Sequence, residues 1–426
     1  MAQKDYDSTS VEANQTKLLN ALTASSIISS SRRTINREKC LQSLFKAITH
    51  ADGTLGRETI LSHLDEVILP ACKSSLRGGI ASPAEQYAAC RVLEATSILL
   101  GGDMDEFCKT ISANDFLPKV VKATGRAAQV RGAALRALAC AYFVCGTDQQ
   151  ESDHIIDLCE SVCAPSFRGE LVSPSLRAIA LDCWSLLSTT LHETGIAGVG
   201  DDHGVENGRG VSMLQLLSEC LDHSNRELRC AAGECVAFIH EARLEMGLVH
   251  DDRIDNVNAS ERKFRRGSWD GTVFEVLMDE IKQRVAELST ESGYQMSKKA
   301  KREQRATFRE FVDTIVEDES PNEVLTFRGG QVALDSWKEI IQLNFVRHCL
   351  QGGFQIQLMT NSTLQLIFGV ESNVLNNNGA MSQIEKRLVM SKSSEYCKAA
   401  DLEMTKKRRA RTNAQNNFIN AESEAF

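Results

Sequence analysis

The chain reads as an all-α protein: a HEAT/armadillo-like α-solenoid carrying a small C-terminal helix/β-hairpin module and a basic tail with helical potential. Three observations predict this. First, 42% of residues are apolar, only 6% are aromatic and Pro occurs six times in 426 residues, a balance that favours packed helices over strands. Second, one helical block recurs. Val130–Cys145 (VRGAALRALACAYFVC) places Leu135, Leu138, Ala139 and Tyr142 at i, i+3, i+4 and i+7, on one helix face. The same order of apolar residue, Arg, small residues and larger apolar residues returns in Leu176–Ser188 and Leu228–His240, and more loosely in Gln86–Leu99. Tyr87 to Arg131 is 44 positions, Arg131 to Arg177 is 46 and Arg177 to Arg229 is 52. Such spacings suit two- or three-helix repeats. Third, the pattern changes near residue 293, where an amphipathic segment precedes a Gly-Gly turn between two short apolar runs.

Residues 1–34 are Ser-rich, show no periodic stripe and are expected to be unordered. The repeats are expected over 35–292. Leu41, Leu44, Phe45 and Ile48 make the first helical face. Ser82-Pro83-Ala84-Glu85 combines an N-cap, a Pro at the first helical position and a Glu at the third; Ser173-Pro174 repeats the device before the Arg177 helix. Thr194–Gly210 holds six Gly and is expected to be a flexible loop between repeat helices, which lengthens the last spacing. A second irregular link spans Met246–Asp270, with a basic cluster at Arg262, Lys263, Arg265 and Arg266.

The C-terminal module is expected over 293–372. Ser297–Glu317 predicts one helix, with Phe308, Phe311, Val312, Ile315 and Val316 at i, i+3, i+4, i+7 and i+8. Lys298, Arg302, Arg305 and Arg309 form a secondary basic stripe on the flank of that face. Val324–Phe327 and Gln331–Leu334 flank Arg328-Gly329-Gly330, the signature of a hairpin. Ser336 and Glu339 make a capping box for a helix with Trp337, Ile340, Ile341 and Phe345, ended by Gly352-Gly353. Asn361 caps a last helix with Leu364, Ile367 and Phe368, stopped by Gly369. A polar linker and the tail fill 373–426. Gln383–Arg411 can be helical but has no continuous apolar stripe, and such a helix needs a partner.

The formal charge is −9, which excludes a globally basic nucleic-acid binder. The charge is uneven: Ala380–Arg411 holds nine Lys/Arg against four Asp/Glu, a balance of +5 that leaves −14 on the rest. Lys406, Lys407, Arg408, Arg409 and Arg411, extended by Lys386, Arg387, Lys392 and Lys398, can neutralise phosphates and release counterions. The same cluster also fits a nuclear localisation signal or a solvated tail. HExxH, Walker, GxSxG and CxxC motifs are absent, and no catalytic, cofactor or metal site is expected. The fourteen Cys sit mostly in apolar helical runs, as reduced buried thiols do; Cys159 and Cys163 lack the second pair a zinc site needs. Trp184 is not followed by Asn at position 188, so the Trp/Asn ladder of nuclear-import adaptors is not present. No secretory signal or membrane-spanning run is expected, and the cytoplasm, with the nucleus as a second compartment, is the expected location.

Several stretches resemble the interferon-related developmental regulator family. Ser75–Gly101 and Phe116–Val144 resemble its repeat region. Ser297–Val316, Val324–Trp337 and Gly353–Val370 resemble its C-terminal signature, and the tail from Glu385-Lys386-Arg387 through Lys398 to Thr405–Arg409 is similar to family tails. The resemblance covers about residues 35–412, with Thr194–Gly210 as an insertion. It implies a non-enzymatic regulator without cofactor or small-molecule substrate. Family members are associated with translationally inactive ribosomes, a C-terminal helix entering the ribosomal channel, and are also described as nuclear transcriptional co-regulators. The expected partners are thus the ribosome and its rRNA, or else proteins held in the solenoid groove.

Overall fold

The computed structural model describes residues 2–26, 34–77, 81–102, 104–146, 148–201, 204–206, 208–246, 273–290, 298–327 and 330–370. The predicted tail residues Lys386, Arg387, Lys392, Lys398, Lys406, Lys407, Arg408, Arg409 and Arg411 lie outside the described residues, as does the 262–266 cluster. Everything described falls in one compact unit ending at Val370.

Two layers of helices build the repeats. The inner layer is α2 (Thr34–Thr49), α5 (Pro83–Leu100), α8 (Ala128–Val144), α10 (Pro174–Ser188) and α13 (Arg226–Glu245), each packed on the next. The outer layer is α1 (Ala2–Ser26); α3 (Gly53–His63), a π-turn and α4 (Leu69–Arg77); α6 (Asp105–Ser112) and α7 (Leu117–Lys122); α9 (Gln149–Cys163); and α12 (Arg209–Leu221). α11 (Glu193–Ala197) packs on α12 and α13. A sixth pair, α14 (Val273–Thr290) and α15 (Lys298–Ile315), closes the array, with α15 on α13. The helices of Arg131, Arg177 and Arg229 are therefore stacked neighbours, and Leu135, Leu181 and Cys235 are buried between layers. All-α solenoid architecture follows from this stacking; the described strands form only three two-stranded hairpins.

The recurring Arg has a structural reason. Arg131 Nε donates to Val121 O at 2.8 Å, Arg177 Nε to Cys163 O at 2.7 Å, and Arg229 Nη1 to His223 O at 2.7 Å. Arg131 and Arg177 thus clamp a carbonyl in the last turn of the outer helix before them, where a cation also meets the negative end of the helix dipole, and Arg229 clamps the turn that follows α12. Ser82 and Ser173 cap α5 and α10 as their Ser-Pro sequences predict. Trp184 is buried and its indole N–H reaches Glu160 on α9, so it faces the outer layer and not a groove.

Two expectations need correction. Residues 2–26 are helical: Leu18, Ala21, Leu22 and Ser25, at i, i+3, i+4 and i+7, are buried where α1 meets α2 and α3. That stripe occupies only two turns of a long polar segment, too short to stand out in its composition. The Gly-rich segment is also structured. α11, the hairpin β3 (Val199–Asp201) with β4 (Gly204–Glu206), and α12 follow one another, and Ile196 and Ala197 are buried.

The C-terminal module matches its predicted elements, with β5 (Glu323–Phe327) paired to β6 (Gly330–Leu334), then α16 (Trp337–Leu350). A short 3₁₀ turn leads to α17 (Phe354–Thr360), which was not expected, and to α18 (Ser362–Ile367), capped by Asn361. Phe308, Phe311 and Ile315 are buried as predicted, but Val316 lies past the end of α15 and is 39% exposed. Trp337 packs on Phe311 with ring centroids 5.4 Å apart, Phe311 meets Phe308 edge-on at 5.3 Å, and the Trp337 indole N–H donates to Thr314 Oγ1 at 2.9 Å.

Candidate functional site

Positive charge without acidic partners among the described residues lies on the predicted stripe of α15. Arg302 and Arg309 are exposed and Arg305 is half-buried. With Ala306 they line one depression of about 370 Å³. Residues 302, 305 and 309 stand at i, i+3 and i+7, so the three guanidinium groups share a face along about 10 Å of helix axis. The Arg305 Nε is buried without a hydrogen-bond partner among the described residues. Lys298 begins α15, but its side chain lies outside the described set.

This layout opposes what a helix prefers. Cations crowd the first turns of α15 and acids, Glu310 and Asp313, follow, whereas the dipole favours the reverse order. Burial, with the charges of Glu323 and Asp313, raises the Glu310 carboxyl and marks the acidic end. Like charges at i, i+4, such as Arg305 and Arg309, each cost about 0.2–0.5 kcal/mol. The stripe therefore does not serve helix stability, and it is a face suited to anions.

The rest of α15 holds this face still. Arg229 Nη2 donates to the buried Gln304 Oε1 at 2.6 Å, and Arg226 pairs with Glu303 at 3.3 Å. Gly233 on α13 lets the Phe311 ring close in, since a Cβ there would stand 2.5 Å from the ring. α15 is thus fixed to the last repeat by packing and polar contacts on the side away from the arginines.

The expected protein-binding groove is not free. α16 runs back along the inner layer, touching α13, α10 and α5 in turn, and α17 reaches α3. The Glu241 carboxylate on α13 accepts the Trp337 N–H at 2.9 Å, adding to the Ser336 cap of α16. Gln342 donates to Thr189 at 2.9 Å. Arg91, stacked on Phe45 and paired with buried Glu94, donates to His348 O and Cys349 O at the end of α16. Gln357 donates to Ala51 O and Asn361 to Ile98 O, both at 2.8 Å. Gly353 sits where a Cβ would meet Thr49 O at 2.1 Å. The module expected at one end of the repeats is instead laid along them, because its Asn, Gln and apolar residues match the inner helices.

Beside α16 a polar strip remains. Arg136 pairs with Asp182 at 3.0 Å and also donates to His348 Nε2 at 2.6 Å. Burial, then the charges of Arg136 and Arg91, lowers His348 to about 4, so its ring is neutral and accepts. Burial, with the Asp182 charge, pushes Glu234 up to about 7. Arg136, Asp182 and Glu234 each sit five residues after the repeat Arg, at 131, 177 and 229, a register that the repeat pattern carries. The cysteines behave as expected: burial pushes the thiols of Cys159, Cys163, Cys183 and Cys235 well above the usual range. The described residues hold no group of three or more His, Cys, Asp or Glu placed for a metal ion, and no helix among them is long and apolar enough to cross a membrane.

Comparison with known proteins adds to this geometry. The family model described as Interferon-related developmental regulator (IFRD) matches residues 1–316, ending one residue past α15. Interferon-related developmental regulator 1 of Mus musculus is 25% identical over 289 residues, 67% of this chain and 58% of that protein. The protein of that name from Homo sapiens is 22% identical over 294 residues, 67% of this chain and 57% of its own length. The match thus spans a little over half the length of these curated relatives.

Proposed function

Because the chain belongs to the interferon-related developmental regulator family, we propose that it is a non-enzymatic regulator that binds translationally inactive ribosomes and represses or preserves them. The contact is the basic segment 383–411 against rRNA phosphates. The observation that carries this reading is the segregation of charge: +5 in Ala380–Arg411 against −14 elsewhere. A helical body of negative charge cannot itself lie broadly on RNA, but it can deliver a basic segment into a channel lined by phosphates. Phosphate contacts need no base readout, which suits a segment with basic residues and little aromatic content. Ordering such a segment costs about 1–2 kcal/mol per residue, so it folds only where contacts are dense. No cofactor, metal or small-molecule substrate enters this function, and the cytoplasm is its place.

The second reading is a nuclear co-regulator with protein partners in the solenoid groove. Its groove is occupied by α16 and α17, which among the described residues leaves a partner the strip of Arg136, Asp182 and Glu234 unless the module is displaced. Sedimentation of the full chain from cell extracts on a sucrose gradient, with nuclear fractions run beside it, separates the two readings. Migration with vacant ribosomal particles supports the first; confinement to nuclear fractions contradicts it.

A further inference from the structure

The folded body carries a phosphate site of its own: we infer that the arginine face of α15, Arg302, Arg305 and Arg309, binds the phosphate backbone of RNA. The inference rests on the ribosome reading above and extends it from the tail to the repeats.

Three observations lead there. The guanidinium groups line one depression and have no acidic partner among the described residues. Their helix is anchored on its opposite face by Phe308, Phe311, Gln304 and the Arg226–Glu303 pair, so the face is rigid before anything binds. The three also repel one another, Arg305 and Arg309 at i, i+4 above all, so a bound anion relieves a repulsion that the free protein must bear.

The chemistry selects the ligand. A planar guanidinium donates two parallel N–H bonds to one phosphate, which a lysine cannot do. Three of them at successive helical turns fit a polyanion that offers phosphates at regular intervals. A protein partner would need an apolar anchor at the centre of the patch, and among the described residues Ala306 alone is there. A membrane surface would need large apolar side chains to insert beside the cations, and the described lining residues offer only the small Ala306. The basic tail segment proposed above and the arginine face then act together, the second contact raising the apparent affinity of the first.

The test uses the full chain and a fluorescein-labelled RNA hairpin, with anisotropy read across a salt series. Three chains are compared with the parent: R302A/R305A/R309A, R302K/R305K/R309K, and a tail variant with Lys406, Lys407, Arg408, Arg409 and Arg411 changed to Ala. The triple Ala variant should bind about tenfold or more weakly at low salt, and its slope of log affinity on log salt should fall by about 2–3. The Lys variant should keep the slope and lose affinity, because charge remains while the bidentate fork is gone. Should the triple variant fold poorly by circular dichroism, R302A/R309A, which touches only the two exposed arginines, should reduce the slope by about 2. An unchanged slope and affinity in a folded arginine variant overturns the inference. If the tail variant loses RNA and the arginine variant does not, the tail reading stands and this one falls. The reverse result keeps this site and removes the tail. If a poly-glutamate peptide binds the parent but not the triple variant, while RNA binding is equal in both, the face belongs to an acidic protein and the RNA assignment is overturned.

Discussion

Replacing Trp337 with Ala tests how the C-terminal module is joined to the repeats. The side chain is 3% exposed, stacks at 5.4 Å on Phe311 and donates to Thr314 Oγ1, while its backbone N–H is held by Glu241. Removing a buried indole costs about 3–5 kcal/mol through lost transfer energy and the cavity left behind. Within that figure, the aromatic pair accounts for about 0.5–1.5 kcal/mol. The Thr314 hydroxyl would lose the indole N–H that it accepts and add to the cost if water cannot reach it. Trp337→Phe separates the parts: it keeps a ring against Phe311 and loses the N–H, and should cost about 1–3 kcal/mol. Urea unfolding followed by circular dichroism measures both, since Trp184 and Trp269 would confuse a fluorescence signal. A cost below about 1 kcal/mol for Trp337→Ala would refute the packing argued for α15 and α16.

Leu135→Asp puts an unpaired charge between α8 and its neighbours and should abolish the folded array, seen as loss of cooperative thermal unfolding. Arg177→Met removes the clamp on Cys163 O and should cost about 1–3 kcal/mol in the same urea assay; no change would mean that the repeated Arg is not a helix-end clamp. Stability should also depend on pH through Glu234. Its folded value, about 7, is above the ordinary 4.5, so the folded state holds a proton that the unfolded chain has released between those values. Stability therefore falls as pH rises through that window and levels off above about 7. Glu234→Gln should flatten that part of the profile, and an unaltered slope would contradict the assignment.

The repeats were legible because their signal is local. A leading Arg, small residues and an apolar run recur at a near-constant interval, and burial of Leu135, Leu181 and Cys235 follows from one helical period. Caps at Ser82, Ser173, Ser336 and Asn361 were legible for the same reason, each being set by residues within three positions. Long-range fit was not. Nothing in the spacing of Gln342, His348, Gln357 or Asn361 says that they meet Thr189, Arg136, Ala51 and Ile98, and so the filling of the groove went unseen. The buried stripe of α1 was masked by its polar surroundings, and the hairpin of Val199–Glu206 by its glycines. Of the candidate site, the α15 stripe was readable from charge at helical spacing. Its rigidity was not, because that depends on Gly233 and Gln304, which carry no charge pattern.

The most direct test of the account is co-sedimentation of the full chain with purified vacant ribosomes across a salt series, for the parent, the five-residue tail variant and the α15 arginine variant. Binding through phosphates predicts that the parent is released steeply as salt rises, that each variant flattens the slope by about 0.7–0.9 per charge that had met a phosphate, and that changing both sets removes binding at physiological salt. Parent binding that ignores salt, or that survives loss of both basic sets, would contradict it.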